Sequence, residues 1–311
     1  MTTRPTHVVL GGNGVIGRET LRALLSRGEN VASVGRRPST VEGSRSITAD
    51  LLVAEDVSRA VAGARTAYLT AGLPYSARIW AEQWPVIVAN AIEAALTHDT
   101  HLVYFDNVYA YGRVEGSMTE RTPINPAGKK GRVRADALRT LATAASERGL
   151  VYTVGRSADF YGPGANTSVF NTFALDKIAV GKDGTWLYDA DKPHSLTYTP
   201  DIGNALTILG ADPAARGSIW HLPTAAPLTG RQYIELAAGS DASVKIMSCT
   251  TMRIGALFNS GARETLEMGY QYTAPYVFDS HAFETSFSVV STPAEEGIAV
   301  SLAFARNQIP T

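Results

Sequence analysis

Lys130 and Arg134 sit one helical turn apart in NPAGKKGRVRADALRTL, a spacing that makes their side chains neighbours. At helical periodicity they share a face with Val133, Ala137, Leu138, Leu141 and Ala144, while Lys129, Arg132, Asp136, Arg139 and Thr143 form the polar face. Two cations continuing an inward apolar stripe need a partner, because an unpaired buried charge is expensive. A bound anionic cofactor or an acid such as Asp106 could supply it; the competing reading is a surface pair at a frayed helix start. Asp106 and Asn107 lie in FDNVYAYG, directly after the buried-looking run HLVYF. Tyr75, Tyr109, Tyr111 and Tyr161 fall on loops at the carboxyl ends of predicted strands, where this kind of sheet places ligands. A single loop tyrosine is commonly a packing residue, but four around one cleft predict an aromatic-lined substrate pocket, with Tyr75, Tyr111 and Tyr161 as substrate contacts. Groups of these types can donate protons and polarise a carbonyl. His194, in KPHSLTY, could reach the cleft from a second domain or serve only structure, and Trp80 and Trp84 are read as core or pocket wall.

The elements that must position these residues alternate. Strand-like THVVL, NVASVG, RSITADL, TAYLTAG, HLVYF and LVYTVG are separated by helical patterns, including a long one over ARIWAEQWPVIVANAIEAALTH and another starting near Gly128. This alternation predicts an α/β fold, a Rossmann-type doubly wound parallel sheet. Beyond about Arg156 the rhythm breaks. GSIWHL reads as a return to the sheet, and GRQYIELAAG, RIGALFNSGARETLEMG and TPAEEGIAVSLAFARNQ read as helices. The expected organisation is a dinucleotide-binding domain over 1–165 with a returning segment near 200–222, and a smaller, mostly helical substrate-binding cap over 166–199 and 223–311.

The loop GGNGVIG places Gly11, Gly14 and Gly17 between a strand and a helix. Glycines there let a pyrophosphate approach the backbone and meet the helix N-terminal amides; the plainer alternative is a tight turn. The cradle comprises Gly11, Asn13, Gly14, Val15, Ile16 and Gly17. After the second strand, where an acid would hold the ribose hydroxyls of NAD, stand Arg36 and Arg37. Guanidinium groups suit a 2′-phosphate, so NADP(H) is preferred over NAD(H), unless the pair is merely solvated. Asp50 and Leu51 are placed to bond and pack an adenine, and Ala71, Gly72 and Leu73 to let the cofactor cross the sheet edge.

Composition narrows the class. The 311 residues carry a net charge of −1, which argues against wholesale nucleic-acid binding. The single cysteine, Cys249, excludes an intrachain disulfide and fits a reducing cytoplasm. No charged-then-apolar leader opens the chain, and no apolar run approaches a membrane span, so a cytoplasmic protein is expected. The six histidines are scattered without an HExxH motif or Cys/His cluster, so no metal site is expected.

The pieces GGNGVIG, ADL, NAIEAA, VYAYG, GRSADFYGPG and TYTPDIGNAL together resemble an extended or atypical short-chain dehydrogenase/reductase of the NAD-dependent epimerase/dehydratase group, over nearly the whole chain. The resemblance implies hydride chemistry, with a Ser or Thr after the fifth strand and a Tyr-x-x-x-Lys pair on the next helix. Here the Ser/Thr position falls on Asn107, the Tyr position on Lys130 and the Lys position on Arg134; no Tyr-x-x-x-Lys occurs in the chain. Arg134 is therefore expected to bond the nicotinamide ribose, Lys130 to donate the proton, Asn107 to donate a hydrogen bond to a substrate carbonyl, and Tyr109 to stand as an alternative proton donor. The resemblance also allows a homodimer through the helices after the fourth and fifth strands. Three functions stay open: an NADP(H)-dependent oxidoreductase, epimerase or dehydratase acting on a small carbonyl or hydroxyl substrate; a non-redox enzyme on the same fold; and an NADP(H)-binding sensor without turnover.

Overall fold

The computed structural model describes residues 4–309. Its centre is a seven-stranded, wholly parallel sheet. The strands β1 (His7–Leu10), β2 (Val31–Gly35), β3 (Arg45–Thr48), β4 (Thr66–Leu69) and β5 (His101–Asn107) are joined by Tyr152–Ser157 and the edge strand Ile219–His221. Across the sheet the order is Ile219–His221, Tyr152–Ser157, β5, β4, β1, β2, β3. The order reverses beside β1, whose neighbours are β4 and β2, and this opens a crevice at the carboxyl ends of β1 and β4. Every residue of β1 and β4 is buried, as strands covered on both faces must be.

Helices α1 (Val15–Ser26) and Thr199–Ala211 cover one face, with Val9, Ile16, Leu21, Leu24, Ile202 and Leu206 in their core. Helices α2 (Ala54–Val61), α3 (Ala77–Thr97) and α4 (Lys129–Arg148) cover the other, around Trp84, Ile87, Val88, Leu102, Tyr104 and Leu141. Helix α4 starts at Gly128 and stops at Gly149, whose left-handed φ of 75° suits a residue without a Cβ. A separate core of Phe170, Trp186, Tyr233, Ile234, Tyr272 and Ile298 holds the later segments together.

One difference from the sequence reading bears on the site. The stretch RIGALFNSGARETLEMG forms two helices, Cys249–Phe258 and Ser260–Leu266, rather than one. Asn259 breaks it: its backbone is extended and its Oδ1 accepts from Ala262 N at 3.1 Å, the geometry of a fresh N-cap. The second helix thereby leaves the axis of the first and brings Glu264 and Glu267 against the head of α4.

Two buried histidines set an acid limit on this fold. Burial lowers His221 to about 3 and His101 to about 4. Both are neutral when folded and take up a proton near 6.5 when unfolded, so their contribution is full above that value and is lost as pH falls towards 3–4. At about 1.4 kcal/mol per unit, His221 alone is worth on the order of 3–5 kcal/mol across that window. Glu19 and Asp201, whose carboxyls burial pushes up, gain on acidification and offset part of the loss. Urea unfolding at pH 7.5 and pH 5 is expected to show a marked drop in midpoint, shallower in His221→Gln; equal slopes for both proteins would refute the assignment.

Candidate active site

The glycine loop forms a backbone cradle at the crevice. Gly11 has φ 90°, and a Cβ there would lie 2.5 Å from Ala71 Cα, so the end of β4 passes where any side chain would stand. A Cβ on Gly17 would press into the Gly11 carbonyl oxygen. No side chain caps α1 at Gly14, so the first-turn amides of Val15, Ile16 and Gly17 are left for an external acceptor. Asn13 does more than line the loop. Its Nδ2 donates to Arg37 O and Pro38 O at 3.2 and 2.8 Å, and its Oδ1 accepts from Thr40 N at 3.0 Å. This clips the segment bearing Arg36 and Arg37, both exposed, to the cradle. Arg18, which the sequence reading passed over, donates to Asn13 O and Gly164 O at 3.1 and 3.0 Å and ties the cradle to the loop beyond Tyr161. Asp50 Oδ1 accepts from Leu52 N at 3.0 Å, and Leu51 O accepts from Asn90 Nδ2 at 2.9 Å. Gly72 is exposed and open, with Ala71 and Leu73 half-buried beside it.

Both cations of α4 are buried, at 0% and 4% exposure, and each is committed to protein partners. Lys130 Nζ lies 2.6 Å from Glu264 Oε2, 2.8 Å from Glu267 Oε2 and 3.0 Å from Glu264 O, with the Tyr75 ring 4.5 Å below it. All three ammonium hydrogens are spent, and the charges nearest to Lys130 are carboxylates rather than Arg134. The expectation of Lys130 as proton donor is corrected accordingly: it fastens the helix Ser260–Leu266 to α4. Glu267 Oε1 also accepts from Lys130 N at 2.9 Å and Glu264 Oε2 from Ala77 N at 2.9 Å, so the same two acids cap the amino ends of α4 and α3.

Arg134 turns under the end of β5. Its Nη1 donates to Tyr104 OH at 2.7 Å, its Nε faces Asp106 Oδ1 at 3.2 Å, and its guanidinium lies 4.4 Å over the Trp84 ring. Of the two partners the sequence offered, Asp106 is the one found, and the ribose role expected of Arg134 is corrected to this internal one. Arg156 completes the set, with Nε and Nη2 donating to Asp106 Oδ2 at 3.0 and 2.9 Å. Asp106 thus bridges two buried guanidinium groups beneath the cleft floor.

Asn107 caps the short turn Val108–Ala110, its Oδ1 accepting from Tyr109 N at 3.1 Å, while its Nδ2 donates to no described residue. The Tyr109 ring stacks on Trp80, and its hydroxyl lies 3.4 Å from that of Tyr75, which is 38% exposed. Tyr111 and Tyr161 do not line the cleft. Tyr111 is 1% exposed and its hydroxyl bonds Thr119 O and His221 Nε2 at 3.0 and 2.7 Å; Tyr161 is 1% exposed and packs on Phe170 and Tyr198. Their substrate role is corrected to packing, since a loop tyrosine can turn to either side of its backbone.

A cluster that the sequence reading did not assemble faces Tyr109 from the other half. Asp159 Oδ2 lies 3.1 Å from His194 Nε2 and 3.0 Å from Tyr272 OH, and Asp159 N donates to Tyr276 OH at 3.2 Å. The His194 ring is sandwiched between Tyr272 and Tyr276, with centroids 4.6 and 4.3 Å away. Burial first, and then the negative charge of Asp159, push the Tyr109, Tyr270, Tyr272 and Tyr276 phenols well above their ordinary range. They are hydrogen-bond donors at any physiological pH. Of these residues only His194 was singled out from the sequence; Asp159 lies in GRSADFYGPG, which carried the family resemblance but was not read as a site. Among the described residues no group of His, Cys, Asp and Glu could hold a metal ion, and no helix is long and apolar enough to cross a membrane.

The profile of the NAD dependent epimerase/dehydratase family matches residues 7–220. Similar solved structures include a double mutant of DesIV (dTDP-glucose 4,6-dehydratase) from Streptomyces venezuelae with NAD bound, at 17% identity over 97% of both chains and a TM-score of 0.79. Another is UDP-glucose 4-epimerase from Thermus thermophilus in complex with NAD, at 18% identity over 97% of this chain and 99% of the other, TM-score 0.75. A third is UDP-glucose 4-epimerase from Thermotoga maritima with UDP-glucose, at 17% identity over 97% and 98% of the two chains, TM-score 0.78. No curated protein matches the chain in sequence. At such identities the likeness to the solved structures speaks for the fold.

Proposed function

Because the chain belongs to the NAD dependent epimerase/dehydratase family, we propose that it binds NADP(H) and uses it to oxidise or reduce a carbonyl or hydroxyl carbon of a small substrate. The observation that carries this reading is the cradle itself: a loop no Cβ could enter at Gly11 or Gly17, clipped by Asn13 to two exposed arginines. The amides of Val15, Ile16 and Gly17 would hold the pyrophosphate, Arg36 and Arg37 the 2′-phosphate, and Asp50 and Leu51 the adenine side, with Gly72 open for passage. Bound NADP(H) supplies or accepts the hydride. The chain's own residues do the rest. Tyr109, kept protonated, and Asn107 Nδ2 donate hydrogen bonds to the substrate oxygen, and Tyr75 walls the cleft. Lys130, Arg134 and Arg156 are engaged by Glu264, Glu267 and Asp106, so none of these three buried cations is free for a second diphosphate. This favours an uncharged carbonyl or hydroxyl compound over a nucleotide-linked sugar. The same commitment of Lys130 and Arg134 favours, as a second reading, an NADP(H) sensor without turnover.

Fluorescence titration tests the cofactor assignment. The protein is expected to bind NADPH at least ten-fold more tightly than NADH. Exchanging Arg36 and Arg37 for glutamate is expected to weaken NADPH by about 10- to 100-fold, the worth of one or two charge-assisted contacts, with NADH little changed. Equal affinity for both coenzymes refutes the 2′-phosphate site; binding of neither refutes the whole reading.

A further inference from the structure

We propose that Asp159 is the catalytic base of this cleft and that His194 and Tyr272 position it, an inference that rests on the hydride-transfer reading above. Asp159 opens the strand Asp159–Tyr161, beside the carboxyl end of the sheet strand Tyr152–Ser157. Both side-chain donors meet one oxygen: His194 Nε2 and Tyr272 OH converge on Oδ2 at 3.1 and 3.0 Å. A carboxylate only accepts, so His194 Nε2 carries a hydrogen towards it. Oδ1 accepts from no described residue, and the side chain is 18% exposed. A carboxylate pinned through one oxygen, with the other bonded by no described residue and the side chain partly exposed, is arranged to take a proton from something that reaches it. The pinning is stiff, since the imidazole is held between Tyr272 and Tyr276 and the main-chain oxygen of His194 accepts from Tyr233 OH at 3.0 Å.

The groups facing Asp159 leave it without a rival. His194, Tyr272 and Tyr276 bond Asp159 directly, its charge acts on Tyr75, Tyr109 and Tyr270, and Arg113, 5.5 Å from the Tyr270 ring, and Glu267 act in turn on Tyr270. The phenols hold their protons, which suits them to donate to a substrate oxygen and unfits them as bases. Lys130 has no lone pair to offer, and the Nε2 hydrogen of His194 is committed. In the oxidising direction, the substrate O–H bond breaks and its proton passes to Asp159 Oδ1. The carbinol C–H bond breaks with its electron pair, which leaves as hydride to an oxidised nicotinamide dinucleotide, and the C–O bond becomes C=O. Asp159 ends neutral and returns its proton to water, or to the nascent alkoxide in the reverse direction.

The test uses NADP+ with 1-phenylethanol and with cyclohexanol as probes, following NADPH formation. Asp159→Asn is expected to lower kcat at least about 100-fold, the range of general-base catalysis, while NADPH affinity by fluorescence stays within about two-fold. His194→Leu is expected to lower kcat about ten-fold with KM nearly unchanged, and His194→Gln, whose amide can still donate to Oδ2, to restore most of it. A readout free of turnover accompanies these: with the Asp159 charge gone, tyrosinate absorbance should emerge at lower pH in Asp159→Asn than in the parent. The inference is overturned by an Asp159→Asn protein that keeps kcat within three-fold, by an unshifted tyrosine titration, or by a parent protein that binds NADP+ yet oxidises neither probe. A protein that binds neither coenzyme overturns instead the reading on which it rests.

Discussion

Asp106→Asn is expected to cost about 3–5 kcal/mol of folding stability, a large part of the 5–15 kcal/mol available to a domain. Asp106 is wholly buried between Arg156, at 0% exposure, and Arg134, at 4%. Arginine cannot shed its proton in a protein, so removing the carboxylate leaves two guanidinium groups in the interior with no counter-charge. Burial works against the Arg156 cation, yet the bonds and charge of Asp106 raise its affinity for the proton above the ordinary value. Asn keeps the shape and one acceptor oxygen, so the loss reads charge rather than packing. The exposed pair Arg139–Asp136, with side chains 71% and 60% accessible, is the internal control: Asp136→Asn should cost under about 1 kcal/mol. Replacing Asp106, Arg134 and Arg156 together by apolar residues should recover much of the loss, because the cost lies in the unmatched charge. Urea unfolding at neutral pH measures all three; an Asp106→Asn protein as stable as Asp136→Asn would mean that water reaches the guanidinium groups.

That outcome bears on how far the sequence could be read. What local spacing determines was legible. Strand–helix alternation implied the parallel sheet, the glycines between β1 and α1 implied the backbone cradle, and the stripe from Lys130 to Ala144 placed both cations inward. Asp106 stood among the candidate partners of the two cations beside a bound cofactor, and only the fold assigns it to Arg134. The partners of Lys130 could not be read in advance. Glu264 and Glu267 lie more than a hundred residues downstream, and they arrive only because Asn259 ends one helix and starts another. The side of the backbone to which Tyr111 and Tyr161 turn is decided by His221 and Tyr198, neither of them near in sequence. Asp159 lay inside a quoted motif without being marked as a site, since its significance comes from His194, Tyr272 and Tyr276 converging on it through tertiary packing.

Lys130→Met is expected to loosen the contact between the helix Ser260–Leu266 and the heads of α3 and α4, at a cost of about 2–3 kcal/mol. The figure sits at the low end for a broken buried pair because Glu264 and Glu267 keep about a fifth of their side-chain surface in water. Methionine fills much of the volume of the lysine stem, so the loss reports two carboxylates left facing one another. Adding Glu264→Gln and Glu267→Gln should therefore return most of it, a non-additivity that a purely steric role would not produce. The pH dependence has a definite sign. Burial pushes the Glu267 carboxyl up, but the bonds and charge of Lys130 more than reverse this and hold it below its ordinary 4.5. Its contribution is thus present above the unfolded value and lost as pH falls through the lower folded one. The gap between parent and Lys130→Met should be wide at pH 7 and shrink below pH 4.5, and hydrogen exchange should show amides of residues 261–267 unprotected in the variant at neutral pH. A Lys130→Met protein with full protection there would place the hold on the helix Ser260–Leu266 elsewhere. If the fastening is its whole role, NADPH affinity should survive in the triple variant, because the cradle at Gly11 and Gly17 shares no atom with it.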